Sequence, residues 1–204
     1  MTKKILTSDQ RDALQEVTNI AMGQAGASLA QVLGEFVQLS VPQINVIELE
    51  EINQALAMLV GATTVVSAVR QAFTGALRGE AVAIFDQEGC IELAELMGYE
   101  KELTPKAEQE LMLDVANVLI GACIKGITKL LQTDITFSPP SVMAKNMPIG
   151  QLMHPSTMEW KLALVTEVNF ALEKGRFTCH LTQFWPESSI VSLAEALDKF
   201  IESF

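Results

Sequence analysis

Residues 7–34 read TSDQRDALQEVTNIAMGQAGASLAQVLG, and residues 104–131 read TPKAEQELMLDVANVLIGACIKGITKLL. Each opens on a threonine suited to capping a helix. Thr7 followed by Gln10 fits a capping box. Pro105 falls at the first helical position, where a missing N–H is harmless. Leu14, Val17, Ala21, Ala25 and Val32 recur at helical spacing and form one apolar stripe. Adding 98 to each gives Met112, Val115, Leu119, Cys123 and Leu130, all of which can be buried. The two stretches therefore predict long helices, related by an internal repeat.

The flanking sequence repeats in the same order. After the first helix, Val37, Leu39 and Val41 alternate with polar residues as in a strand, until Pro42 marks an edge or a bend. After the second, Ile135 and Phe137 alternate until Pro139-Pro140; Pro42 plus 98 is Pro140. Short helices are predicted near 51–59 and Gly150. Hairpins follow, over about 64–85 with a turn at Arg78-Gly79, and over about 160–185 with a turn at Glu173-Lys174-Gly175. Helices at 91–97 and 186–204 close each half, and Leu93-Ala94-Glu95 matches Leu193-Ala194-Glu195 at an offset of 100. The expected fold is α/β of the α+β type. It is a single pseudo-two-fold domain over 1–204, built from α-β-α-β-β-α repeats at about 7–98 and 104–204. Its long helices pack on a largely antiparallel sheet.

The chain has 204 residues, 49% hydrophobic and 19% charged, with a formal charge of −11. Such a length buries a substantial core. The acidity excludes a phosphate-backbone binder, so nucleic acid is not an expected partner. It also argues against a polybasic membrane surface. The longest uncharged run, 52–69, holds Asn53, Gln54, Gly61, Thr63, Thr64 and Ser67, and no membrane insertion is expected. The N-terminus lacks a secretory apolar region, so a cytoplasmic location is expected. Cys90, Cys123 and Cys179 read as buried small hydrophobes in a reducing compartment. His154 and His180 have no metal-ligand spacing with them, and no metal or cofactor of the chain's own is expected.

Opposite the apolar stripe, Asp12, Glu16 and Asn19 stand at i, i+4 and i+7, within about 60° on the helical wheel. Gly23, Gly26 and Ala30 continue that face as a smooth strip. In the second helix Glu110, Asp114 and Asn117 repeat the trio, and Gly121 repeats Gly23. Each Asn is followed by 22 residues and then by Pro42 or Pro140. A glycine inside a helix costs about 1 kcal/mol against alanine. Gly23 and Gly121 at equivalent places therefore suggest a packing or docking purpose.

This doubled pattern of acid-x3-Glu-x2-Asn-x22-Pro resembles the CheC/CheX/FliY family of chemotaxis phosphatases, and its two-copy layout most resembles CheC. The resemblance covers essentially the whole chain. It implies removal of the phosphoryl group from the aspartyl phosphate of a CheY-type response regulator. The family's catalytic Glu and Asn map onto Glu16 and Asn19. The Asn amide is implied to orient the attacking water, and the Glu to pair with the regulator's active-site lysine. Mg²⁺ is implied in the partner. The receptor deamidase CheD is a further implied partner.

The chemistry is physically coherent, because phosphoryl transfer needs positioning and charge stabilisation above all. An amide both donates and accepts, so it can hold a water. The second copy departs from the family pattern. Asp114 is one methylene shorter than Glu, about 1.5 Å of reach. Lys125, in place of Ala27, is expected to repel a partner's lysine or to pair with Asp114. Asp114 and Asn117 are thus the candidate second site, supported by Glu110, Gly121 and Pro140 as the first is by Asp12, Gly23 and Pro42. Two other readings stand beside this one. An adaptor without turnover would bind a regulator or CheD. An enzyme with its own active site would use the paired carboxylates as acid and base, but the sequence offers it no nucleophile–base pair.

Overall fold

The computed structural model describes residues 5–98, 104–153, 161–173 and 177–203. In the first half, α1 (Ser8–Leu33) is followed by β1 (Val37–Leu39), β2 (Gln43–Glu48), a 3-10 turn (Leu49–Glu51), α2 (Ile52–Val60), β3 (Val65–Gly75), β4 (Gly79–Asp86) and α3 (Gln87–Leu96). The second half holds α4 (Pro105–Leu130), β5 (Ile135–Phe137), β6 (Ser141–Pro148), a 3-10 turn (Ile149–Gln151), β7 (Leu162–Leu172), β8 (Thr178–Pro186) and α5 (Glu187–Ile201). Where a helix was predicted near Gly150, the described residues form only that 3-10 turn. The hairpin tip at 174–176 and the residues 154–160 lie outside the described residues.

Local chemistry sets the long helices. The Thr7 hydroxyl accepts from the Gln10 N–H at 3.1 Å, and the Thr7 N–H donates to Gln10 Oε1 at 2.9 Å, completing the capping box. Gly34 ends α1 at φ 69°, a left-handed conformation that glycine takes without a Cβ clash. Thr104 caps α4 through the Ala107 N–H. Gln132, the 98-shifted counterpart of Gly34, takes the same left-handed region at φ 51°.

Among the described residues all the strand pairings are antiparallel, in an eight-stranded sheet ordered β1-β7-β8-β4-β3-β5, with β2 also on β7 and β6 also on β3. Both sheet edges are therefore strands broken in two, at Ser40–Pro42 and at Ser138–Pro140. A proline has no N–H for a ladder, so a break at an edge is where it is tolerated. Each break is clamped by a serine. Ser40 Oγ accepts from the Asn169 N–H at 2.9 Å, and Ser138 Oγ accepts from the Ala72 N–H at 3.1 Å.

One core lies between the long helices and the sheet, around Leu14, Val17, Met22, Phe73, Phe170 and Trp185. A smaller one lies on the other face, under α2 and the 3-10 turns. The burial of α1 and α4 runs in register. Ala13, Leu14, Val17, Ala21, Met22, Leu29 and Leu33 are buried, and so are Leu111, Met112, Val115, Leu119, Ile120, Ile127 and Leu131. Val32 corrects the predicted stripe, for it is 46% exposed. The buried arc turns round α1 toward its C-terminus, where Leu29 and Leu33 face the core and Val32 falls outside it.

Among the described residues, α4 is the one helix long and apolar enough to cross a membrane, and 61% of its most apolar stretch is buried inside the fold. Its apolarity follows from its place at the centre of the core.

Candidate functional site

Asp12, Glu16 and Asn19 are exposed on α1 because the opposite arc of the helix is buried. The break after β1 brings Val41 and Pro42 against them. Together with Gln15, these five residues line a hollow of about 270 Å³. The 22-residue spacing between Asn19 and Pro42 thus closes on itself, and the Ser40 clamp on β7 fixes the closure. Among the described residues, none of Asp12, Glu16 and Asn19 has a side-chain hydrogen bond or an ion pair.

The predicted smooth strip is only partly real. A Cβ on Gly23 would meet nothing within 4 Å, and the same holds for Gly121. No packing demand explains either glycine. Gly26 is buried, with Leu39 of β1 placed 3.1 Å from where its Cβ would stand. The strip therefore ends under β1. The close helix–helix approach is made by Gly126, whose Cβ would stand 2.7 Å from the Ala21 Cβ. Sequence reading passed over Gly126, although a second glycine inside an apolar helix was its signal.

The second trio is exposed, and two of its three members are engaged. Glu110 pairs with Lys106 at 3.8 Å. Asn117 Oδ1 accepts from Gln71 Nε2 at 3.3 Å, and the same Nε2 donates to the Ser138 carbonyl at 2.9 Å. Gln71 is 4% exposed, so its amide is held beside the Pro139-Pro140 break. No sequence signal marked Gln71, because it reaches Asn117 only through the packing of β3 under α4. Of the two roles expected of Lys125, the pairing with Asp114 is not made. Its Nζ stands 5.8 Å from the centroid of the Phe137 ring. It lies eleven residues from Asp114, about 16 Å along the helix, too far to pair with it.

The three cysteines are free and buried. Burial pushes the Cys90 and Cys123 thiols up to about 12 and raises Cys179 as well, which keeps them from acting as thiolates. Among the described residues, no three His, Cys, Asp or Glu side chains gather to hold a metal.

Comparison with known proteins bears on this arrangement. The CheC-like family model matches residues 10–46, a stretch that contains Asp12, Glu16, Asn19 and Pro42. FliY from Thermotoga maritima is similar in structure at 21% identity and a TM-score of 0.74, over 96% of this chain and 98% of that one. The FliM middle domain from H. pylori is similar at 8% identity and a TM-score of 0.67, over 94% and 99%. The chemotaxis protein CheX from Vibrio vulnificus is similar at 14% identity and a TM-score of 0.58, over 83% and 98%. No curated protein matches by sequence. The α+β fold is that of FliY and CheX. The family match thus falls on the first long helix and the strand break after it, and the solved structures share the fold of the whole chain.

Proposed function

With the CheC/CheX/FliY family as the premise, we propose that this chain is a phosphatase for the aspartyl phosphate of a CheY-type response regulator, nearest in kind to CheC. The observation that carries the reading is the unengaged Asn19 amide, one helical turn from Glu16, over a hollow walled by Pro42. Asn19 Oδ1 accepts a hydrogen from the attacking water and aims its oxygen at phosphorus, in line with the aspartyl oxygen. The O–P bond breaks, the aspartate leaves as a carboxylate, and the water's proton goes to the phosphate. Glu16 pairs with a lysine of the partner's active site, a contact strengthened when both charges are desolvated. Mg²⁺ belongs to the partner and no resident cofactor is needed. The reading places the protein in the cytoplasm and treats the two halves as copies of one unit.

The test is release of phosphate from a phosphorylated CheY-type receiver domain. The wild type should accelerate it, and the Asn19→Ala/Asn117→Ala double variant should not. Equal rates for the two would end the catalytic reading.

A second reading, an adaptor that binds a regulator or CheD without turnover, is favoured by one observation. The fold is shared with the FliM middle domain as well as with FliY and CheX. It predicts a stable complex with no gain in phosphate release.

A further inference from the structure

The hollow at Asn19 is only half of a site. At about 270 Å³ it falls below the roughly 300–1,000 Å³ of pockets that enclose a small ligand. Two carboxylates on its wall would also repel a free phosphate ester. The reacting group must arrive on another surface, together with a cation of its own.

The surroundings of the hollow fit such an arrival. Val41 walls it and is 67% exposed. Leu39, two residues earlier, is 37% exposed and lies against Gly26. Ile20, next to Asn19, is 38% exposed. At about 100° per residue, Ile20 falls on one side of the trio on the α1 wheel and Gly26, with Leu39 upon it, on the other. An acidic and amide centre is thus flanked on both sides by exposed apolar side chains. That pattern of apolar surface round a charged centre suits a folded partner that is desolvated on contact.

We infer that Ile20, Leu39 and Val41 form a docking collar that selects a receiver domain carrying its phosphoryl group beside a cation. The inference rests on the phosphatase reading and adds to it the residues that set affinity. The 98-shifted counterparts are Val118, Phe137 and Pro139. There the Lys125 ammonium stands over Phe137, so an incoming cation meets a like charge.

The experiment is steady-state dephosphorylation of a phosphorylated CheY-type receiver domain by the Ile20→Ser/Val41→Ser variant. Loss of this apolar surface should raise KM about tenfold, with kcat within about twofold of wild type. Met58→Ser is the control, on α2 at the opposite face of the sheet, where an exposed apolar residue plays no part. It should leave both constants unchanged. Unfolding curves of the three proteins should coincide. An unchanged KM, or a fall in kcat alone, overturns the collar. If the wild type gives no turnover, the phosphatase reading fails and the collar is judged by Kd for the beryllofluoride-loaded receiver domain. A tenfold weakening in the variant then upholds it, and an equal Kd or no binding by wild type overturns it.

Discussion

On α1, Asp12, Glu16 and Asn19 stand exposed with no polar partner among the described residues. On α4, the equivalent Glu110 pairs with Lys106, and Asn117 gives its oxygen to Gln71. Two faces that match in pattern are therefore unlike in chemistry. The exposed Lys106–Glu110 pair contributes little to stability, since such pairs are worth at most about 1 kcal/mol. It nevertheless neutralises a carboxylate at the edge of the site. The Gln71 contact matters more, because the lone pairs of an amide oxygen are what would hold a water. The lesson is that spacing along a helix sets which residues share a face, whereas neighbouring elements decide whether they are free.

The largest effect that would break this contrast is at the carboxylates. Glu16→Ala should lower kcat/KM on a phosphorylated receiver domain about a hundredfold, as expected when one partner of a desolvated charge pair is removed. Asp114→Ala should stay within about twofold. Equal losses would mean that the two faces work alike.

Converting the second face is the next test. In an Asn19→Ala background, Gln71→Val with Asp114→Glu frees Asn117 and restores the reach of the acid. About tenfold of the lost phosphate release should return. No recovery would show that the Gln71 contact is not what holds the second face idle.

Stability separates the helices in a smaller way. Gly126→Ala should destabilise the fold by about 1–3 kcal/mol, because its Cβ would overlap Ala21. Gly23→Ala and Gly121→Ala meet open space and should each stabilise it by about 0.5–1 kcal/mol. Denaturant unfolding of the three variants reads both signs. If Gly23→Ala also impairs phosphate release and Gly121→Ala does not, the open glycine serves docking on the first face alone.

Much of this architecture was legible in the sequence. Thr7 with Gln10, Thr104 with Pro105, and the apolar positions at an offset of 98 marked the long helices, because caps and periodicity are local. Pro42 and Pro140 marked the sheet edges, because proline removes a ladder donor. Val32 was misplaced, since the burial of a helix end depends on how far its neighbours extend. Of the packing or docking purpose expected of Gly23 and Gly121, the packing part belongs to Gly26 and Gly126. The Gln71 contact and the Ser40 and Ser138 clamps join residues far apart in the chain. They depend on the register between elements, which periodicity does not carry.

The smallest expected effect lies away from both faces. His180 on β8 stands opposite Asn169 on β7, and His180 Nδ1 and Asn169 Oδ1 are buried without a partner among the described residues. Burial lowers the His180 pKa below its ordinary 6.5, so the unfolded chain takes up the proton first as pH falls. Stability should therefore be lost as pH falls from about 6.5 through the lower folded value. Glu167, raised by burial, acts in the opposite sense, but it is common to wild type and variant. The thermal midpoint of wild type should drop relative to His180→Leu between pH 7 and pH 5, while the contrast between the faces stays the same.

The most direct measurement is single-turnover phosphate release from a phosphorylated CheY-type receiver domain, with Asn19→Ala and Asn117→Ala compared side by side. A free amide on α1 and an engaged one on α4 predict about a hundredfold loss for Asn19→Ala and a change within about twofold for Asn117→Ala. Equal losses, or a greater loss at Asn117, would contradict the account.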